Sequence, residues 1–566
     1  MDAQRPSSRT RAVLALGLGL IVSSPLRAQE ARPPAAFLPK DSAVVIELSG
    51  GAEFIAALER VPLDPPWAPP PAGRAPWRRD YERLEGFLGA PLPEVLARLS
   101  DRGAALGLVP SGADWQACLV LWASDAERSR SELERLLNEV ARRYGVPKLF
   151  EQPSERRGEA ELWAIGEELW VARQGPRILA SGSRALLLEG LERLSDPGAL
   201  GLLAEPGPSR ARALPAPDRG LWMWLDPNRL RGARTDIDWN GLDGLLTKPE
   251  GLLSLGAGLA CLPRATDWAL SAEAEDGALR VAFGGFGLDA LPPGLLPSSP
   301  TSPREFLRHP ENLGQALLHR DWPTATRERG RLFEPGALAQ FSAKLEELQI
   351  FFGGLRLGED VLARLSPWWQ VALRPVPFPA GTAPGLPLPG AVLFLEVPDD
   401  PRLAHALEAA FQTLISLSNV ESAQQGRPPL RLAAKLAGQR SYSVATPMPL
   451  AEGEVGDLRY NLAPALCLTD GGLLLASHEA LLLDVLDELE KAAPLAAPAE
   501  VLELSGAELA DWAEAQVSGL ELLARLRGQS QPLGPWIEWL QSLWLEARVD
   551  YGPDAIRFAA WLEQRR

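Results

Sequence analysis

The stretch Glu94-Val95-Leu96-Ala97-Arg98-Leu99-Ser100 returns as Asp360-Val361-Leu362-Ala363-Arg364-Leu365-Ser366, and working outward from this pair decides the fold. Further matches follow in the same order. Ala117-Cys-Leu-Val-Leu-Trp-Ala-Ser-Asp125 reappears as Ala391-Val-Leu-Phe-Leu-Glu-Val-Pro-Asp399. Ile178-Leu-Ala-Ser181 with Ala185-Leu-Leu-Leu-Glu189 reappears as Leu474-Leu-Ala-Ser477 with Ala480-Leu-Leu-Leu-Asp484. Near the ends, Leu270-Ser-Ala-Glu273 and Leu279-Arg-Val-Ala-Phe283 resemble Leu545-Glu-Ala-Arg548 and Ile556-Arg-Phe558. The four spacings are 266, 274, 296 and 275 residues. A fixed order of matches is the signature of internal repetition, so the chain reads as one unit written twice, with an insertion in the second copy.

The boundaries follow. Residues 1–28 read as a signal peptide: Arg5, Arg9 and Arg11 precede an apolar run from Ala12 to Val22, and Ala28 closes a small-residue break. That run is shorter than the ~20 residues needed to span a bilayer. A linker at 29–36, a first copy at 37–290, a Pro/Ser-rich linker at 291–303 and a second copy at 304–566 complete the division. The expected mature chain has no transmembrane helix and is exported, to the periplasm or beyond. A net charge of −16 argues against nucleic acid as a partner, because that affinity needs clustered cations. Cys118, Cys261 and Cys467 are not duplicated between copies, which favours buried thiols over a bridge.

Each copy alternates short apolar runs with helical stripes. Cys118 to Trp122 is a continuous apolar run of strand length. Ser124 and Glu127 match a capping box before the stripe Leu133, Leu136, Leu137 and Val140. In the second copy Asp400 takes the cap and Pro401 the first helical position, before Leu403, Leu407, Phe411 and Leu414. Ser183 to Leu194 forms another helix after three short strands, and Asp276-Gly277 between alternating runs predicts a hairpin. The expectation is α+β: two tandem repeats, each a mostly antiparallel sheet with helices packed on one face. The Leu38-Pro39-Lys40-Asp41 lead into an apolar strand, the Leu-Ala-Ser element before a helix, and duplication behind a signal peptide resemble a group of exported bacterial proteins catalogued as domains of unknown function. The resemblance implies an envelope or extracellular location and an unknown envelope partner, and brings no activity with it.

No residue is assigned a catalytic, cofactor-binding or metal-binding role. His478-Glu479 lacks the second histidine of a zinc pair, since Leu482 stands there. Asp236, Asp238 and Asn240 open a calcium-like loop, but Thr247 occupies the position of the bidentate carboxylate. No Gly-x-Ser-x-Gly elbow is present, and Gly256-Ala-Gly258-Leu-Ala-Cys261 lacks the final glycine of a dinucleotide turn. The 18 Trp against 5 Tyr are read as core indoles rather than sugar platforms. Two functions follow: a non-catalytic binding or scaffolding protein of the envelope, and, as the alternative, a secreted hydrolase built from scattered carboxylates, whose pairs are defined only in space.

Overall fold

The computed structural model describes residues 33–564 apart from 51–52, 55–56, 58–89, 113, 145–149, 152, 167–168, 197–200, 215–218, 233–261, 263–264, 276–277, 289–303, 306–308, 310, 333–334, 379–381, 451–457, 470, 490, 492, 495–499, 527–533 and 552–554. The expected signal peptide, the linker at 291–303, the residues Asp236, Asp238 and Asn240, and Cys261 all lie outside the described residues.

Short β-branched and aromatic runs broken by turn residues make strands, and among the described residues twenty of them join one sheet. In the first half these are β1 (Val44–Ser49), β2 (Gly103–Ser111), β3 (Asp114–Trp122), β4 (Glu155–Arg157), β5 (Ala160–Ile165), β6 (Leu169–Gln174), β7 (Arg177–Ser181), β8 (Gly220–Leu225), β9 (Asp267–Glu275) and β10 (Ala278–Phe286). The second half supplies β11 (Gly314–His319), β12 (Trp368–Arg374), β13 (Gly390–Glu396), β14 (Arg431–Ala437), β15 (Arg440–Thr446), β16 (Ala465–Thr469), β17 (Gly472–Ala476), β18 (Glu500–Ser505), β19 (Leu543–Tyr551) and β20 (Ala555–Gln564). Every pairing is antiparallel. The spatial order of the first ten is β4-β5-β6-β7-β3-β2-β1-β8-β9-β10. The second ten run β14-β15-β16-β17-β13-β12-β11-β18-β19-β20, the same order strand for strand. The halves meet along β10 and β20, centred on Ala282 opposite Ala559.

Among the helices are α1 (Leu92–Leu99), α2 (Ala126–Tyr144), α3 (Arg184–Ser195), α4 (Pro401–Gln424), α5 (Glu479–Leu489) and α6 (Gly506–Ala515). The two long helices α2 and α4 follow β3 and β13, while α3 and α5 follow β7 and β17. The recurring heptapeptide supplies α1 in the first half but only π and 3-10 turns in the second, yet Val95, Leu99, Val361 and Leu365 are all buried. The recurring Leu-Ala-Ser has a direct cause. Ser181 Oγ donates to the Ala117 carbonyl at 2.7 Å, and Ser477 Oγ accepts from the Ala391 amide at 2.9 Å. In both halves this serine clips the strand end to its neighbour.

The expectation of helices on one face is corrected: both faces are covered. Ala117, Leu119 and Leu121 join Leu133 and Leu137 of α2 in one core. Cys118, Val120 and Trp122 join Leu187 and Leu191 of α3 on the other side. The second half repeats this, with Leu403, Phe411 and Ile415 of α4 against one face and Leu481, Leu482 and Val485 of α5 against the other. A strand buried on both faces needs an apolar residue at every position, which is why Cys118–Trp122 shows no alternation. The capping expectation also changes. Ser124 is taken by Asp101, and Asp125 caps α2 by accepting from the Glu127 and Arg128 amides at 2.8 and 3.2 Å. Asp400 caps α4 in the same way, accepting from Arg402 at 2.8 Å. A third core spans the junction of the halves, where Trp268 and Phe283 meet Trp322, Val549, Ile556 and Phe558.

Candidate functional site

The halves differ beside β1/β8 and β11/β18. In the first half, Val45 stands opposite Trp224, both fully buried. Of the 24 residues between α3 and β8 (196–219), the stretch 201–214 folds over them, with Leu202, Ala211 and Leu214 completing the core. Two buried carboxylates hold this cover. Asp267 receives Arg210 at 2.7 Å and the Trp224 indole N–H at 3.2 Å. Glu47 receives Arg212 at 2.5 Å, and the same guanidinium lies 3.9 Å over the Trp222 ring. A Cβ on Gly207 would stand 2.0 Å from Asp267 Oδ1, so glycine is needed for the cover to approach this closely.

In the second half the pair at the same ladder position is Gln315 opposite Glu503. The connection from α5 to β18 has only ten residues (490–499), too few for an equivalent cover. A cavity of about 390 Å³ opens there, lined among others by Asn312, Gln315, Glu503, Glu508 and Trp544. That volume lies within the ~300–1,000 Å³ typical of small-molecule sites.

A hydrogen-bonded relay fixes the cavity wall. Gln315 Nε2 donates to Glu503, and Asn312 Nδ2 donates to Gln315 Oε1 at 2.6 Å. Arg374 Nε donates to Asn312 Oδ1 at 2.6 Å, while its two terminal nitrogens bind Glu488 at 2.7 and 2.8 Å. The bidentate pair neutralises Arg374, whose side chain is buried, and locks its plane. His309, on the cavity rim, approaches Glu488 at 4.0 Å. On the far side, Ser505 caps α6 and places Glu508 in its first turn. The Glu508 carboxylate has no partner among the described residues, and the helix dipole favours its charge. Two carboxylates, Glu503 and Glu508, thus line the cavity beside amide, hydroxyl and indole groups, and the unpaired Glu508 suits a ligand that brings an O–H or N–H donor.

His478, Glu479, His405 and the two described cysteines lie elsewhere. His478 is buried, 2.9 Å from Ser477 Oγ and edge-on to Phe378, and burial pushes its imidazole down to about 4. Glu479 serves Lys435 at 2.7 Å and the Tyr442 hydroxyl at 2.6 Å. His405 is exposed on α4. Cys118 and Cys467 are free, buried thiols, and burial pushes Cys118 up to about 12. Trp122, Trp163, Trp222, Trp224, Trp268, Trp322 and Trp368 are core residues. Among the described residues no group of three or more His, Cys, Asp or Glu is arranged to hold a metal ion, and no helix is long and apolar enough to cross a membrane. The cavity residues were not foreseen. Their signal was in the spacings: the fall from 296 at Leu-Ala-Ser to 275 at Leu270/Leu545 marks a segment present after α3 and missing after α5.

The chain matches no protein family and no curated protein. Among solved structures it is similar to crystal form I of TP0453, with 11% identity, a TM-score of 0.25, and coverage of 45% of this chain and 79% of that one. A likeness at that level carries no argument about fold or activity.

Proposed function

We propose that the chain is an exported, non-catalytic binding protein of the cell envelope. On this reading its halves are two copies of one unit. The first keeps a closed core, and the second holds a small, hydroxyl- or amino-rich ligand in the cavity at Glu503. The observation that carries the reading is the exchange of Val45 and Trp224 for Gln315 and Glu503 at one ladder position, together with the shorter connection beside them, ten residues against 24. Placing an amide and a carboxylate where the other half has dry core costs stability unless every polar atom is bonded. A five-residue relay that meets this requirement beside an open cavity fits a binding role. Planar amide and carboxylate groups pair with hydroxyl and amino donors, and Trp544 adds an apolar edge. The basic, apolar and small-residue order of residues 1–28 supports export.

Calorimetric titration of the purified chain with sugars, polyols and polyamines tests the binding reading. Binding abolished by Glu503→Leu, in a protein of unchanged fold, is the expected result. Glu503 and Glu508 sharing one cavity support the second reading, a carboxylate hydrolase. Turnover of a glycan or ester lost in Glu503→Gln would establish it and overturn the first. Export is tested separately by fractionation and N-terminal sequencing, with a mature start near Gln29 expected.

A further inference from the structure

We propose that a second copy of this chain adds to the sheet along β14, continuing it antiparallel across a two-fold axis with Ala434 opposite its own counterpart. The two ends of the sheet are unlike. At one end, β4 is three residues long and its charges are engaged: Arg157 and Arg184 with Glu155, and Arg156 with Glu161. Short, charged edges resist pairing. At the other end, β14 is seven residues long, pairs only with β15 among the described residues, and is exposed over most of its length.

Its sequence, Arg431-Leu-Ala-Ala-Lys-Leu-Ala437, complements itself when reversed. With Ala434 at the centre, Leu432 faces the copy's Leu436, Lys435 faces Ala433 and Arg431 faces Ala437. No like charges stand directly opposite, and Lys435 is already neutralised by Glu479 at 2.7 Å. Leucines opposite one another bury apolar surface across the new ladder.

The two leucines also lie on an apolar face. Ala445, the ladder partner of Leu432, belongs to the core beneath α4, whereas Lys435 points to Glu479 on α5. Leu432 and Leu436 are therefore on the α4 side. On that side the second half of α4 leaves Leu414, Leu417 and Val420 about half exposed. A two-fold axis perpendicular to the sheet places both copies of this surface on the same side, so strands and helices are buried together. The chain already joins its own halves in this manner, through β10 and β20. Seven residue pairs and one helix end per copy amount to an interface at the low end of the size scale, about 1,000 Å² in total, so assembly should depend on concentration.

Sedimentation of the full chain from about 1 to 100 µM, the range in which so small an interface half-assembles, should show a monomer–dimer equilibrium. Leu436→Lys should weaken it at least tenfold; this side chain is 72% exposed, so folding is not at stake. Under mild oxidation Ala434→Cys should cross-link to its own copy, while Ala437→Cys and the unaltered chain should not, because Ala437 faces Arg431. A monomer throughout the range overturns the proposal. So does a dimer indifferent to Leu436→Lys, or one cross-linked equally by both cysteines.

Discussion

His319 shows how one buried side chain ties stability to pH. It is packed edge-on to Trp368 at 4.8 Å, and burial pushes its imidazole from 6.5 down to about 4, with Asp321 opposing and Arg320 assisting. The neutral ring is the one that fits. Above pH 6.5 both folded and unfolded states carry it neutral, and the contribution is complete. Between 6.5 and about 4 the unfolded chain binds the proton first, so stability falls as pH falls, by up to roughly 3 kcal/mol. Urea unfolding at pH 7 and pH 4 should show a smaller loss in His319→Phe than in the parent chain. At the same scale, Gln315→Val combined with Glu503→Leu puts an apolar pair where the first half has Val45 and Trp224. Because a buried polar pair is commonly no more stable than an apolar one of its size, this double variant should melt at or above the parent temperature while losing the proposed binding.

At the scale of elements, much was legible because strands and helices report their own burial. The run Cys118–Trp122 was apolar at every position, and the stripe Leu133, Leu136, Leu137 and Val140 marked the inner side of α2. What a linear reading lacked was the identity of the neighbour. It placed all helices on one face, since nothing local to α2 or α3 states which side of the sheet each crosses. It gave the cap of α2 to Ser124, whose pattern with Glu127 is a valid capping box, because Asp101 is 23 residues away and takes the serine only in the folded chain. The cavity was hidden for the same reason. Gln315 and Glu503 are 188 residues apart, and only the shortened connection before β18 hinted that they share an open space. The two caps, one expected and one corrected, make a prediction: Asp125→Ala and Asp400→Ala should each cost about 1 kcal/mol, measured as a shift in the urea midpoint. A loss confined to one of the two would show that the capping roles differ.

For the whole molecule, the junction of β10 with β20 matters more than any single site. Nine register pairs cross it, with Phe283 opposite Phe558, and Trp268 and Trp322 contribute to one core from opposite halves. Halves that share ladder and core should lose structure together. Scanning calorimetry is expected to show one transition, and Phe283→Ala should lower hydrogen-exchange protection in β1–β3 and in β11–β13 alike. Two separate transitions, or an effect limited to β1–β10, would mean that the halves are independent.

The order of the strands also sets a timetable. Ten strands of the first half can pair among themselves as soon as Phe286 has been made, leaving the outer edge of β10 waiting for β20. The ribosome must add about 270 further residues before that partner exists, which takes on the order of 15 to 55 s at usual rates of synthesis. Throughout that interval a nine-residue strand that carries Phe283, with Trp268 beside it, stands open to any other strand that passes. The nascent chain is thus most vulnerable to mispairing when it is half made, and slowing translation beyond Phe286 should lower the yield of native protein more than slowing it before.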